Sequence, residues 1–161
     1  MRRHAQTILT LLMFGVVFAT GSLLASVWLF RPQEFTPVIA LLNDAGQAGP
    51  YPTNVTRYSN VTVRVDVYNF MGVVQYFYVR TKLATAATMA NASSPSSAPL
   101  ILQHERILSH GERWVFPVTL NMTTVGLNFR LTFELWRYEP TSDAIVYTGI
   151  WVHLPLNVTS G

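Results

Sequence analysis

Cysteine is absent from this 161-residue chain, so neither a disulfide framework nor a cysteine nucleophile is available. Charge is also scarce: Asp, Glu, Lys and Arg make up 12% of the chain, against about 25% in an ordinary soluble protein. The formal net charge of +3 is small and scattered, which argues against nucleic acid as a partner. A surface with so few charges predicts covering glycans or neighbouring subunits.

Catalytic motifs are missing as well. The sequence has no G-x-S-x-G nucleophile elbow and no glycine-rich phosphate loop. The only cluster of candidate metal ligands is His104 and Glu105 with His110 and Glu112, and its spacing differs from H-E-x-x-H. On a strand, His104 and Glu105 would point to opposite faces. We therefore predict no metal, no cofactor and no enzymatic activity.

One long apolar run dominates the amino-terminal part. Residues 7–30 contain no charge, and as a helix they would reach about 36 Å, enough to cross a hydrocarbon core of about 30 Å. We predict a single transmembrane helix at 7–30, after a cytoplasmic stub at 1–6 and before a juxtamembrane linker at 31–33. Small residues recur on one face of this helix, where a second membrane helix could pack closely. They are Gly15, Ala19, Ser22 and Ser26.

Two other interpretations of this run stay open. A cleaved signal peptide would have a basic start, but its apolar region usually spans only about 7–15 residues. Trp28 and Phe30 beside Arg31 favour a retained anchor with an interfacial end. A pilin-type leader cut near Ala5 would make the helix the core of a filament, although the usual acidic residue inside such a helix is missing.

The predicted orientation of the chain in the membrane follows from flanking charges and from glycosylation sequons. Arg2 and Arg3 outweigh Arg31, so the amino terminus should be cytoplasmic and the rest extracellular, in a single-pass protein of the plasma membrane. The chain contains five N-x-[ST] sequons, which predict a glycoprotein with covalent N-glycans. Their asparagines are Asn54, Asn60, Asn91, Asn121 and Asn157. We expect glycans on at least the first three, which lie in turns or in a long loop, while the last two lie at strand ends.

The remaining sequence predicts an all-β domain over residues 34–158, with a tail at 159–161. Val61, Val63, Val65 and Val67 alternate with polar residues, as in a half-buried strand. Similar patterns predict seven strands, at 34–42, 61–68, 73–83, 99–108, 113–120, 128–138 and 145–154. Seven short strands with regular turns favour a seven-stranded immunoglobulin-like β-sandwich. A closed barrel is the competing architecture.

One segment interrupts the strands. Residues 84–98, ATAATMANASSPSSA, are a low-complexity run of Ala, Ser, Thr and Pro that contains the Asn91 sequon. Such a composition buries little apolar surface to offset the entropy of ordering. The sequence therefore predicts a mobile, glycosylated loop.

Several motifs resemble a known family. They are YPTNVT at 51–56, the YNFMG turn with VVQY at 68–76, GERWVFPVTL at 111–120, and NFRLTFELWRYE at 128–139 with IWVHL at 150–154. Together they resemble an archaeal membrane-protein family, domain of unknown function 1616. The resemblance covers the ectodomain and implies an archaeal source, a cell-surface setting and a β-sandwich joined to membrane helices. It implies no activity. This chain departs from it by its single helix and by the 84–98 segment.

Four aromatic residues form a candidate contact surface. Alternation places them on the outward side of the last two strands, as an apolar strip for a partner. They are Trp136, Tyr138, Tyr147 and Trp151. With a hairpin tip at 142–143, Tyr138 would lie opposite Tyr147, and Trp136 opposite Gly149. The alternative is that the long loop or the first strand covers the strip.

These observations predict a non-enzymatic, membrane-anchored extracellular glycoprotein, acting as a structural or accessory subunit of an archaeal envelope assembly or membrane complex. The expected partners are the membrane and other membrane or envelope subunits. One alternative is a pilin-like filament subunit with a hydrophobic helical core. A second is an extracytoplasmic domain that binds a small ligand, such as a sugar or a metal.

Overall fold

A computed structural model describes residues 35–161, and every regular element within that range is a β-strand. The strands are β1 (Val38–Leu42), β2 (Asn54–Thr56), β3 (Asn60–Tyr68), β4 (Gln75–Ala84), β5 (Leu100–Leu108), β6 (Arg113–Asn121), β7 (Gly126–Glu139) and β8 (Ala144–Thr159). No helix in residues 35–161 is long and apolar enough to span a bilayer. The predicted stub, anchor, linker and helix-packing residues, Gly15, Ala19, Ser22 and Ser26, lie outside the described residues.

The strands form two sheets. One contains three strands in the order β1–β3–β6, and the other contains five in the order β2–β8–β7–β4–β5. All neighbours are antiparallel except β2 and β8, which pair in parallel over three residues. The predicted all-β, two-sheet architecture is confirmed, and the closed barrel was the wrong alternative. The seven-strand prediction was wrong by one, because β2 is too short to show a period of two.

The core lies between the sheets and follows the predicted alternation. The four valines of β3 are almost fully buried, as are Trp114, Phe116, Val118 and Leu120 of β6. Facing them are the inward residues of the larger sheet, Phe77, Val79, Leu131, Phe133, Leu135 and Leu154. The period of two therefore identified the buried faces of β3, β4, β6 and β7 correctly.

The β7–β8 hairpin differs from its predicted register near the tip. From Leu131–Leu154 to Leu135–Ile150 the register is the predicted one, but beyond that point Trp136 pairs with Tyr147. A bulge at Thr148 and Gly149 causes the shift, and the turn occupies 140–143. The predicted pairs, Tyr138 with Tyr147 and Trp136 with Gly149, were therefore wrong, since Tyr138 pairs with Ile145.

The domain has two distinct ends. At the proximal end, the described chain begins at Phe35, and the turns 69–74, 109–112 and 140–143 connect the strands. At the distal end lie β2, the start of β3, the end of β6 and the end of β8. This division follows from the antiparallel pairing, and it separates two groups of surface residues described below.

Candidate partner-binding face

The outward side of the five-stranded sheet is rich in aromatic residues. Two cross-strand rows form it: Tyr78–Trp136–Tyr147 and Arg80–Glu134–Trp151. We call this surface the outer aromatic face, and it comprises Tyr76, Tyr78, Arg80, Trp136, Tyr138, Tyr147 and Trp151. The structure thus brings the four predicted strip residues together on one sheet face, beside three residues of β4 that the prediction missed. The sequence did carry a signal for them, because inward Phe77 and Val79 require the alternating positions 76, 78 and 80 to point outward.

Trp136 has fixed contacts on three sides. The Arg80 guanidinium carbon lies 4.1 Å from the centre of its ring, a cation–π geometry. The Tyr147 ring is 5.4 Å away, and the indole N–H donates to Glu134 Oε2 at 3.1 Å. Arg80 Nε also donates to Gln103 Oε1 at 3.0 Å. The centre of the face is therefore held in one arrangement.

A buried ion pair lies next to this aromatic centre. Lys82 Nζ is 3.1 Å from Glu134 Oε2, and the two side chains are 10% and 0% exposed. Ser96 covers the pair, since its backbone N–H donates to Glu134 Oε1 at 2.6 Å and its carbonyl accepts from Lys82 Nζ at 2.7 Å. Both charges are thus compensated by each other and by the backbone of one loop residue.

These contacts tie down the loop between β4 and β5, residues 85–99, which contains almost all of the low-complexity segment. Ala90, Ser96 and Ala98 are buried, and Ser96 Oγ donates to the carbonyl of Thr88 at 2.6 Å. The prediction of a mobile loop was therefore wrong. The stabilising contacts are polar and specific, whereas the prediction considered only how little apolar surface the composition can bury.

The same loop reaches the aromatic face. The Tyr147 hydroxyl donates to the carbonyl of Asn91 at 3.0 Å. Burial, with a contribution from the charge of Glu134, raises the pKa of Tyr147 to about 12, so the hydroxyl remains a donor at neutral pH. The four predicted strip residues are all half-buried. At Tyr147, the β4–β5 loop therefore does cover part of the aromatic strip, as one of the two alternatives expected.

The tyrosines toward the proximal end have carboxylate neighbours. A hydrogen bond to Glu105, with burial and the charge of that carboxylate, raises the pKa of Tyr76 to about 12. The Tyr138 hydroxyl donates to Asp143 Oδ1 at 2.7 Å, which raises its pKa too. Tyr76 and Tyr78 have ring centres 4.6 Å apart. Tyr76 and Tyr138 therefore present neutral, hydrogen-bonding aromatic groups at physiological pH, whereas Tyr78 is buried beneath its neighbours.

The candidate ligands from the sequence do not converge. The His104 ring packs against Phe116, with centres 4.7 Å apart, and burial lowers its pKa. His110 Nδ1 accepts from the Gly72 N–H at 3.1 Å, while Glu112 accepts from the Ser109 N–H and pairs with Arg106. Within residues 35–161 there is no group of three or more His, Cys, Asp or Glu able to hold a metal ion.

A cavity of about 420 Å³ opens near the distal end. Its walls are mainly aliphatic and aromatic, and none of its lining residues carries a charge; they are Leu83, Pro99, Ile101, Leu120, Asn121, Met122, Thr123, Thr124, Phe129 and Leu131. Among the lining residues only Asn121, Thr123 and Thr124 have polar side chains, and none offers a carboxylate, imidazole or thiolate to a metal ion. The lining therefore matches a metal ion poorly and offers few polar groups to a sugar.

Four of the five sequon asparagines lie at the distal end, in two cross-strand pairs. Asn60 is opposite Asn121, whose Nδ2 donates to Asn60 Oδ1 at 3.0 Å and to the Tyr58 carbonyl at 2.9 Å. Asn54 is opposite Asn157, whose Nδ2 donates to Asn54 Oδ1 at 2.9 Å. One amide nitrogen in each pair is therefore engaged, and the two members of a pair are too close for two glycans.

The expected glycan pattern is accordingly three of the five sequons. Nδ2 is the atom that carries an N-glycan, and in residues 35–161 this atom makes no hydrogen bond in Asn54, Asn60 or Asn91. Glycopeptide mapping of native protein should find glycans on these three asparagines. Asn121 should be unmodified, because its Nδ2 uses both hydrogens in hydrogen bonds and attachment would remove one of them. Asn157 should be unmodified because its Nδ2 points at Asn54, which leaves little room for a second glycan beside one on Asn54. Full occupancy of all five sequons would contradict this expectation.

Comparison with known proteins adds information about the fold alone. No family model matches the sequence, and no curated protein matches it, so membership of the archaeal family remains a prediction. Among solved structures, the CARDB domain of the PF1109 protein from Pyrococcus furiosus, in complex with di-metal ions, is 13% identical. The match covers 81% of this chain and 100% of that one, with a TM-score of 0.52. This likeness supports an immunoglobulin-like sandwich.

Two other structures are more distant. Spo0M, a sporulation control protein from Bacillus subtilis, is 11% identical over 78% of this chain and 50% of its own, with a TM-score of 0.45. A β-glucosidase from Listeria innocua is 10% identical over 77% of this chain, with a TM-score of 0.43. The match spans only 16% of the β-glucosidase chain.

Proposed function

We propose that this chain is a non-enzymatic, membrane-anchored extracellular glycoprotein that serves as a structural or accessory subunit of an archaeal envelope assembly or membrane complex. The outer aromatic face is its contact surface for a partner subunit. The observation that carries the proposal is the arrangement of tryptophan, tyrosine and arginine side chains in fixed positions on one sheet face. Those three residue types are the ones enriched at energetically important interface positions.

The electrostatics of the face also support protein contact. Its buried charges, Lys82 and Glu134, already compensate each other, and the Arg80 guanidinium lies over Trp136. A partner would therefore remove little unpaired charge from water on binding. Because the side chains are held by neighbours, binding would also lose less rotamer entropy than it would at a mobile surface.

The position of the sequons supports the predicted orientation. An anchor that precedes Phe35 would attach at the proximal end of the domain, whereas four sequons lie at the distal end. Glycans at the distal end would leave the outer aromatic face accessible, whereas a glycan on Asn91 would lie beside Tyr147, at the edge of that face. The apolar anchor at 7–30 provides the attachment in this proposal.

The filament alternative depends on the chain before the described residues. Processing near Ala5 would remove the amino-terminal residues, so mass spectrometry of native protein distinguishes the two arrangements. An intact Met1 supports the anchored subunit, and a new amino terminus near Ala5 supports the filament.

The direct test is copurification in mild detergent with a variant of the aromatic face. Trp151→Ala combined with Tyr138→Ala suits this purpose, because neither side chain contributes to the core. Trp136 is unsuitable, since its indole N–H donates to the buried Glu134. If at least one of the two side chains is a hot spot of about 2 kcal/mol, the double variant should weaken partner binding by roughly 30-fold or more.

Leu127→Ser is the matched control, because Leu127 is 69% exposed and lies at the distal end, off the aromatic face. It should retain the partners of the natural protein. Unchanged copurification by the folded double variant would exclude the aromatic face as the contact surface. Purification of the natural protein without any stoichiometric partner would contradict the subunit role itself.

A further inference from the structure

The proximal end of the domain exposes a compact group of apolar side chains. Phe35, Phe70, Val73 and Val74 are between 42% and 64% exposed. We call these four residues the proximal tip. Three of them belong to the turn between β3 and β4, and the fourth begins the described chain. Exposed apolar side chains grouped at one end of a domain are a candidate contact site.

The turn that carries the tip is held by hydrogen bonds of one buried side chain. Asn69 is fully buried, and its Nδ2 donates to the carbonyls of Val73 and Leu108, each at 2.8 Å. Its Oδ1 accepts from the Met71 N–H at 2.9 Å. One buried amide therefore fixes both ends of the turn, and the apolar side chains are directed outward by the structure of the turn.

Phe35 joins the tip by packing on a glycine. Gly72 has a φ of +75°, and a Cβ placed on it would lie 2.8 Å from Phe35 Cε1. Only a residue without a side chain allows the ring this close. The start of the described chain thus packs directly on the β3–β4 turn.

We propose that the proximal tip inserts into the interfacial layer of the lipid bilayer; this inference rests on the proposed membrane attachment. The connecting chain is short enough to bring the tip to lipid. Phe30 ends the apolar run and Phe35 begins the described domain, so at most about 18 Å of extended chain separates them. The headgroup layer is about 5–8 Å thick on each side of the hydrocarbon. The tip is therefore within reach of lipid.

The charged groups near the tip are paired, so we expect the tip to insert through its apolar side chains and not by attraction to charged headgroups. We call this the apolar mode of insertion. The arginines at this end pair with carboxylates: Arg106 with Glu112 at 3.1 Å, Arg113 with Asp66 at 2.8 Å and Arg137 with Glu139 at 2.9 Å. No surplus of positive charge among these pairs would attract anionic headgroups. Insertion should consequently occur in zwitterionic bilayers and depend little on anionic lipid.

Site-specific fluorescence on the full chain tests the inference, because the absence of cysteine allows single labels. Val73→Cys is labelled with the environment-sensitive dye NBD and reconstituted in phosphatidylcholine vesicles; Val74→Cys is a second position. Leu127→Cys at the distal end is the control, since this position is equally exposed in the domain. We expect blue-shifted emission at the two tip positions and several-fold stronger quenching by doxyl-labelled lipid than at the control.

The outcomes separate this inference from the proposed function. Failure of the full chain to float with the vesicles would contradict membrane anchoring. Flotation with tip and control labels equally exposed to water would overturn tip insertion while leaving the anchor intact. Protection of the tip labels only after a partner protein is added would also overturn it, in favour of a protein contact. A many-fold dependence on anionic lipid would contradict the apolar mode.

Discussion

Replacing Lys82 with methionine should destabilise the domain by about 3–5 kcal/mol, because the change leaves the Glu134 carboxylate buried without its cation. Glu134 is fully buried, and Lys82 Nζ lies 3.1 Å from its Oε2. The substitution also removes the donor that the Ser96 carbonyl uses at 2.7 Å. Equilibrium denaturation in urea would measure the loss as a lower midpoint with little change in slope.

Arg137→Met is the matched control for this variant. Arg137 pairs with Glu139 at 2.9 Å, but both side chains are 30% exposed, so losing the pair should cost about 1 kcal/mol or less. Combining Lys82→Met with Glu134→Gln should recover part of the stability, since a neutral amide is less costly to bury than an unpaired carboxylate. Equal effects of Lys82→Met and Arg137→Met would show that burial does not strengthen the Lys82–Glu134 interaction.

The same ion pair explains why one part of the fold could not be predicted. Neither Lys82 nor Glu134 is unusual in sequence, and each occupies an outward position of its strand. Their burial arises because the β4–β5 loop crosses that face and supplies Ser96 as a partner to both. A prediction from composition evaluates the loop by itself and has no means of including this long-range contact.

The positions and buried faces of the strands were predictable, because the pattern that reveals them is local. Val61 to Val67 and Trp114 to Leu120 alternate with polar residues, and a period of two assigns faces without reference to distant partners. The β7–β8 register needed more information. Its predicted pairs held up to Leu135 and failed beyond the bulge at Gly149, because inserted residues shift the pairing without disturbing the hydrophobic pattern on either side.

The outer aromatic face shows an intermediate case. Alternation placed Trp136 and Trp151 outward, and the structure has them there. The specific neighbours of Trp136 were not foreseeable, because Arg80 and Tyr147 come from two different strands and meet through the sheet order. Strand order depends on the packing of the whole domain, so it cannot be predicted from the pattern of a single strand.

Among the glycines of residues 35–161, Gly149 should be the least tolerant of substitution, with Gly149→Ala costing about 3 kcal/mol. Its φ is +77°, where an L side chain costs about 1–2 kcal/mol. A Cβ there would also lie 2.7 Å from the backbone carbonyl oxygen of Ala92, so the loop must move away. That movement would break the hydrogen bond from the Tyr147 hydroxyl to Asn91, worth about 1 kcal/mol.

Gly111→Ala separates the two contributions. Gly111 has nearly the same φ, +78°, but a Cβ there would meet nothing within 4 Å, so only the backbone strain of about 1–2 kcal/mol should appear. Hydrogen exchange provides the second measurement, because Gly149→Ala should accelerate exchange at the amides of residues 85–99 and Gly111→Ala should leave them protected. If both variants lose the same stability and the loop amides exchange alike, the loop does not depend on close approach at Gly149. A larger loss confined to Gly149→Ala, with faster exchange in the loop, would instead establish that the bulge on β8 exists to let the loop backbone reach the aromatic face.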